Sequence, residues 1–204
     1  MTSMSEAPAA GRPAGLRERK KARTRAAIRE HALRLFREQG YQATTVEQIA
    51  EAAEVSPSTF FRYFPTKEDV VLQDDFDLIQ VEAFEAQPAG MSVIGAYRAA
   101  AAEMFGSLTP EELVRFRESV EMTLTIPEVR ARALDEFAKA IDVTAEAIAR
   151  RTGRTADDPA VRNVAGALVG VVMAATMPWS SQPAEDMFER IDAGLAHLEA
   201  GLPL

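Results

Sequence analysis

Residues 44–67 read TTVEQIAEAAEVSPSTFFRYFPTK, and the fold is decided in this stretch. Thr45 and Gln48 are spaced as a capping box, in which a hydroxyl and an amide satisfy the free backbone groups of a helix start. Val46, Ile49, Ala50 and Ala53 then fall on one helical face. Glu54, Val55 and Ser56 form a turn. Ser56 can cap a second helix, with Pro57 at the tolerated first position. Phe60 and Phe64, four apart, point inward, Pro65 ends that helix, and Thr66 can cap the next. Upstream, Ile28, Ala32, Leu35 and Phe36 mark one face of a longer helix over 16–39, and Gly40 supplies its stop. Two short helices joined by a three-residue turn, behind a longer striped helix, make a helix-turn-helix.

Such a motif reads duplex DNA through the N-terminal end of its second helix, where short side chains approach base edges and backbone amides meet phosphate. Ser56, Pro57, Ser58 and Thr59 suit that end. Ser58, Thr59 and Arg62 lie opposite the buried phenylalanines, and Tyr63 is placed to offer a hydroxyl to phosphate. Lys67 stands at the start of the following helix, where an ammonium and a helix N-terminus both attract an anion. The run Arg17, Arg19, Lys20, Lys21, Arg23 and Arg25 precedes the first helix or forms its first turns. Cations there oppose the helix dipole, so local stability does not explain them, whereas a minor groove or flanking phosphates would. Arg23 and Arg25 are taken as contacts.

Charge is divided in the same way. Residues 1–67 hold 12 Lys/Arg against 7 Asp/Glu, and the remainder holds 11 against 24, within a net −8. A basic head on an acidic body implies a polyanionic partner for the head alone. There is no cysteine, which excludes disulfides, thiol catalysis and thiolate metal sites. The N-terminus is polar and then basic, with no apolar core of a secretory leader. The apolar run over 164–177 is short and broken for a bilayer span. The expectation is a cytoplasmic protein that does not enter membranes.

Beyond residue 67 the same punctuation repeats. Helices are expected to about Gln87, from after Gly90 to about Gly106, from Pro110, from Pro127 to near Gly153, from Pro159 through Met177, and after a loop at 178–183 to about Ala200. No useful alternating pattern occurs. The chain therefore reads as all-α, with about nine helices: an arm over 1–15, a three-helix helix-turn-helix domain over 16–67 and a helical bundle over 68–204.

Ala32-Leu-Arg-Leu-Phe36, Gly40-Tyr41, Thr44-Thr-Val46, Ile49-Ala50, Val55-Ser56, Thr59-Phe-Phe-Arg-Tyr-Phe64 and Lys67-Glu68 follow one pattern. Residues 24–70 thereby resemble the DNA-binding domain of the tetracycline-repressor (TetR) family. The resemblance implies a homodimeric transcriptional regulator on a palindromic operator, released by a small ligand. Thr44 and Thr45 match positions whose hydroxyls contact backbone phosphate. Ser58 stands where the family often has glycine. Phe61 replaces a usual tyrosine and is left with apolar contact to sugar or a thymine methyl.

The bundle would then hold an apolar effector and a dimer seam. Its candidate ligand-binding residues are Phe76, Ile79 and Phe84 on the helix to Gln87, with Phe105, Phe116, Phe137 and Met173. The resemblance implies a four-helix seam from the helix at Pro159 and the last helix. Gly166 and Gly170 would permit close approach there, with Leu195 as a further seam residue; the alternative is packing within one chain. The rival readings are a helical-bundle enzyme and a structural adaptor. His31 and His197 are the only histidines, and neither has Glu three residues before it, so the di-iron Glu-x-x-His pattern is missing. No Gly-rich phosphate loop occurs. The expectation is a protein that is not an enzyme and has neither metal nor cofactor.

Overall fold

The computed structural model describes residues 15–72, 76–176 and 187–204, with only the backbone given for Glu18 and residues 76–79. It divides into two compact units, residues up to 65 and residues 66–204. Among the described residues there is no strand, in keeping with an all-α reading.

The first unit is α1 (Leu16–Gln39), α2 (Val46–Ala52) and α3 (Pro57–Tyr63). The buried face of α1 is Ile28, Ala32, Leu33 and Phe36, so Leu33 takes the place expected for Leu35, which is half-buried. Gly40 ends α1 at φ 88°, a backbone region that side chains disfavour. The chain then folds Tyr41 back onto Phe36, ring centroids 5.0 Å apart. The Thr45–Gln48 capping box forms in full, and Ile49 and Ala50 point into the core. Ser56 caps α3 by accepting from the Thr59 amide at 3.1 Å. Phe60 and Phe64 are both fully buried, 5.9 Å apart.

The second unit holds α4 (Asp69–Leu72), α5 (Phe76–Ala86), α6 (Val93–Ser107), α7 (Pro110–Thr125), α8 (Pro127–Thr152), α9 (Pro159–Thr176) and α10 (Met187–Glu199). The helix expected to Gln87 is thus described as two segments, and residues 73–75 between them lie outside the described residues. Residues 1–14 of the expected arm over 1–15 and the loop at 178–183 lie outside them too. Helix boundaries follow the capping chemistry. Thr109 and Glu112 make a second capping box with Pro110 in the first turn, and Gly153 closes α8 in the left-handed conformation.

The core of this unit is built largely from small residues. Ala96, Ala100, Ala101, Ala145, Ala165 and Leu168 pack with Phe84, Ile148, Ile191 and Leu195. Small side chains let α6, α8, α9 and α10 approach closely. Gly194 carries this furthest, since a β-carbon there would stand 2.7 Å from Val171. Between helices, arginine side chains make the polar ties. Arg98 grips Asp192 with two hydrogen bonds, at 2.6 and 2.9 Å, and Arg151 donates to the carbonyls of Gln87, Pro88 and Met91 where α5 ends. The apolar α9 turns Val161, Ala165 and Leu168 into the core.

Candidate nucleic-acid interface and cavity

The exposed side of α3 is a short polar strip. Ser56, Pro57, Ser58 and Arg62 are exposed, and Thr59 and Tyr63 are half-buried. The Ser56 hydroxyl lies 2.9 Å from both the Ser58 and the Thr59 hydroxyl. The first turn of α3 therefore presents three clustered hydroxyls, each able to donate or accept. One turn on, Arg62 lies over the Tyr63 ring at 5.4 Å. This contact pre-orders both side chains beside the hydroxyl cluster. Phe61 is 51 % exposed and rests edge-on against Phe60. Only packing on one side supports so large an apolar surface in water.

Two expected contacts serve the fold. Thr44 is 1 % exposed. Its hydroxyl donates to the Gly40 carbonyl at 2.8 Å and accepts from Gln39 at 3.1 Å. The expectation of a phosphate contact is corrected here, because the side chain is buried in pinning the turn between α1 and α2. Thr45, next to it, is exposed and caps α2. Arg25 is half-buried with its guanidinium 4.7 Å from the Phe64 ring centre, so much of it packs on the core. Arg23 is exposed. Lys67 is half-buried and belongs to the second unit by its contacts.

The second unit holds a partly open cavity of about 230 Å³. Phe84, Phe105, Phe116 and Phe137 line it. Phe105 and Phe116 meet edge-to-face at 5.6 Å. The side chains of Phe76 and Ile79 lie outside the described residues. Met173 is half-buried and is not on the wall; Val169, Val172 and Thr176 represent α9 there. The space itself comes from α8, where Ala133, Ala140, Thr144 and Ala147 turn one narrow face to it. That spacing of seven, four and three is a helical stripe of small residues, a signal that attention to aromatic residues passes over. Among the described residues Glu136 is the one charged group on the wall.

Of the seam residues, Gly166 is half-buried and Gly170 exposed, with open space where a β-carbon would stand on either. Leu195 is fully buried inside its own unit. Its placement in the seam is corrected, because a side chain spent in the core has no surface left for a second chain.

A helix-turn-helix in one unit and an apolar cavity in an all-helical second unit define a DNA-binding transcriptional regulator. The chain belongs to the tetR family of bacterial regulatory proteins: residues 28–73 match its N-terminal model, and residues 91–203 match the model described as the MftR C-terminal domain. It is 38 % identical over 151 residues to the HTH-type transcriptional regulator TcmR of Streptomyces glaucescens, covering 71 % of this chain and 67 % of that one. It is 28 % identical over 178 residues to MftR of Mycobacterium tuberculosis, named as a regulator of mycofactocin biosynthesis, covering 86 % and 89 %. Among solved structures, Thermus thermophilus FadR, a TetR-family repressor in complex with lauroyl-CoA, superposes with a TM-score of 0.56 at 28 % identity, covering 88 % and 95 %.

Proposed function

We propose that this regulator is a homodimeric repressor, acting in the cytoplasm and released from a palindromic operator by a small, largely apolar ligand. The observation that carries this reading is the 230 Å³ cavity walled by Phe84, Phe105, Phe116 and Phe137 in the unit that follows the helix-turn-helix. A largely apolar cleft of that size, lined by aromatic side chains with a few polar groups, is the usual form of a small-molecule site. That FadR holds an acyl-CoA supports a ligand-responsive role for this architecture.

Base reading falls to Ser58, Thr59 and Arg62, with Ser56, Thr45, Tyr63, Arg23 and Lys67 toward phosphate and Phe61 toward sugar or a thymine methyl. One short reading helix has a small footprint, so a second, symmetry-related copy supplies the remainder of the site. Gly166 and Gly170, on the outer face of α9, are the seam residues.

Two measurements test the proposal. Selection from a randomised duplex library should enrich paired inverted half-sites, and enrichment of none would remove DNA reading by α3. An apolar ligand found by thermal shift should then bind operator-bound protein more weakly than free protein, by the factor with which it weakens operator binding. Equal affinities would exclude release by that ligand.

A further inference from the structure

Asp69 is fully buried, and a buried carboxylate must be compensated by charge and hydrogen bonds. One oxygen accepts from the Thr66 amide at 2.9 Å while the Asp69 amide donates to the Thr66 hydroxyl at 3.2 Å. This reciprocal pair closes the turn that opens α4. The other oxygen accepts from Nε of Arg132 on α8 at 3.1 Å. The same guanidinium bonds Asp135 at 2.7 Å and reaches Glu136 at 3.6 Å. Beside this pairing the Arg132 pKa is raised, chiefly by its hydrogen bond to Asp69. Glu136 in turn is the charged group on the cavity wall, and its Oε1 is shared between Arg132 and Lys139, the latter at 2.7 Å.

One cation thus stands among three carboxylates: Asp135 beside it on α8, Glu136 facing the cavity and Asp69 holding residues 66–69. Those residues follow directly on Pro65, where the first unit ends. Asp69 takes Nε of Arg132 while Glu136 draws on Nη2 of the same guanidinium, so whatever engages Glu136 from the cavity alters the pull on the group that grips Asp69. The wall also sets the chemistry of the occupant. No described Lys or Arg lines the cavity, and the sequence has none between Lys67 and Arg98 or between Met173 and Arg190. An anionic head would meet Glu136 with no wall cation to receive it. A protonated amine would meet its counter-charge, with Thr123, Thr144 and Gln80 as further hydrogen-bonding groups on the wall.

We infer that Glu136 selects an apolar ligand bearing a protonated amine, and that engaging it releases Arg132 to bind Asp69 more tightly and stiffen the 66–69 turn. The inference rests on the cavity being the effector site. Arg132 is a positioning residue in it and does not touch the ligand.

The probes are three naphthalenes of one ring size with different heads: 2-naphthylmethylamine, 2-naphthalenemethanol and 2-naphthoate. Titration calorimetry gives affinities, and hydrogen exchange reports the Thr66 and Asp69 amides. The full-length wild type should bind the amine about tenfold more tightly than the alcohol, with the naphthoate weakest. The amine should slow exchange at Thr66 and Asp69 several-fold. Glu136→Gln should abolish the preference for the amine, and Arg132→Gln should speed exchange at both amides without any probe. The exchange measurement on the wild type needs no variant to fold. If the three probes bind without ranking, if the ranking survives Glu136→Gln, or if the wild-type amides are unmoved by the amine, the inference is overturned while the cavity stands as a ligand site. If no naphthalene binds, the cavity reading falls and the inference with it.

Discussion

At the scale of single residues, the reading helix separates side chains that hold the fold from those that face outward. Phe60 and Phe64 are fully buried, whereas Ser58 and Arg62 are exposed. Arg62→Ala and Thr59→Ala should therefore each weaken operator binding by about 1–3 kcal/mol, the range for loss of a good base contact. Circular dichroism and the melting temperature should stay near wild type, and a gel-shift titration checks the affinity. Operator affinity unchanged in both would exclude α3 as the reader. Glu54 has a separate consequence. It takes φ 54° in the turn between α2 and α3, a left-handed conformation that costs a side chain roughly 1–2 kcal/mol. Glu54→Gly removes that cost at some loss of unfolded-state restriction. It should raise stability by about 0.5–1 kcal/mol in urea melts. A lower midpoint would show that Glu54 makes a compensating interaction. Thr44 shows what residue type alone conceals: Thr44 and Thr45 are chemically alike and adjacent, yet one is buried under Gln39 and the other exposed.

At the scale of elements, legibility follows range. Caps, glycine stops and first-turn prolines act within four residues, so α2, α3, α7 and the end of α8 could be placed from Thr45, Ser56, Thr109 and Gly153. What joins elements was hidden. Arg132 and Asp69 are 63 positions apart, and Arg98 and Asp192 are 94 apart. No local pattern marks either pair. The aromatic part of the cavity was legible because large apolar side chains must be buried somewhere. Its small-residue part was not, because alanine is as common on a helix surface as in a core. The same ties set an acid limit. Asp192 titrates below its ordinary value because Arg98 hydrogen-bonds it; Asp158 does so because the Ala160 amide and then Arg154 do. Glu112 is lowered by the Thr109 backbone and hydroxyl. For a lowered carboxylate the unfolded chain takes up protons first, at about pH 4. The stabilisation is full above that value and is lost as pH falls through the lower folded value. Urea midpoints should thus be level near neutrality and fall below about pH 5, and Asp192→Asn should flatten that fall. A fall as steep as in wild type would show that other carboxylates govern it. The basic run of α1 admits a parallel test. Replacing Lys20, Lys21 and Arg23, all exposed, by Gln should lower the slope of log affinity against log salt by about one per lost phosphate contact. An unchanged slope would make them a solvated surface.

At the scale of the whole molecule, the sequence divides its charge into a basic head and an acidic remainder, which confines attraction for DNA to one part of the chain. In the proposed dimer, specific binding then depends on how two heads are held, and so on the seam between protomers. The outer face of α9 is where that seam can be tested without disturbing the fold. Gly166 and Gly170 have open space at the β-carbon position within their own protomer, so a side chain can start there without a clash. Each replacement should instead favour the helix by about 0.5–0.8 kcal/mol over glycine. A seam at α9 makes a different demand. Side chains inserted between two closely approaching helices overpack the contact, at about 1–3 kcal/mol, which corresponds to a roughly 5–150-fold weaker dimer. Gly166→Leu and Gly170→Leu should therefore fold at least as well as wild type when monomeric, yet dissociate at higher concentration in sedimentation velocity. Operator affinity should fall with dimerisation and recover as protein concentration is raised. If both variants remain dimers as tight as wild type, the seam lies elsewhere on the unit. If the wild type itself sediments as a monomer at micromolar concentration, the two-fold reading of the operator fails with it.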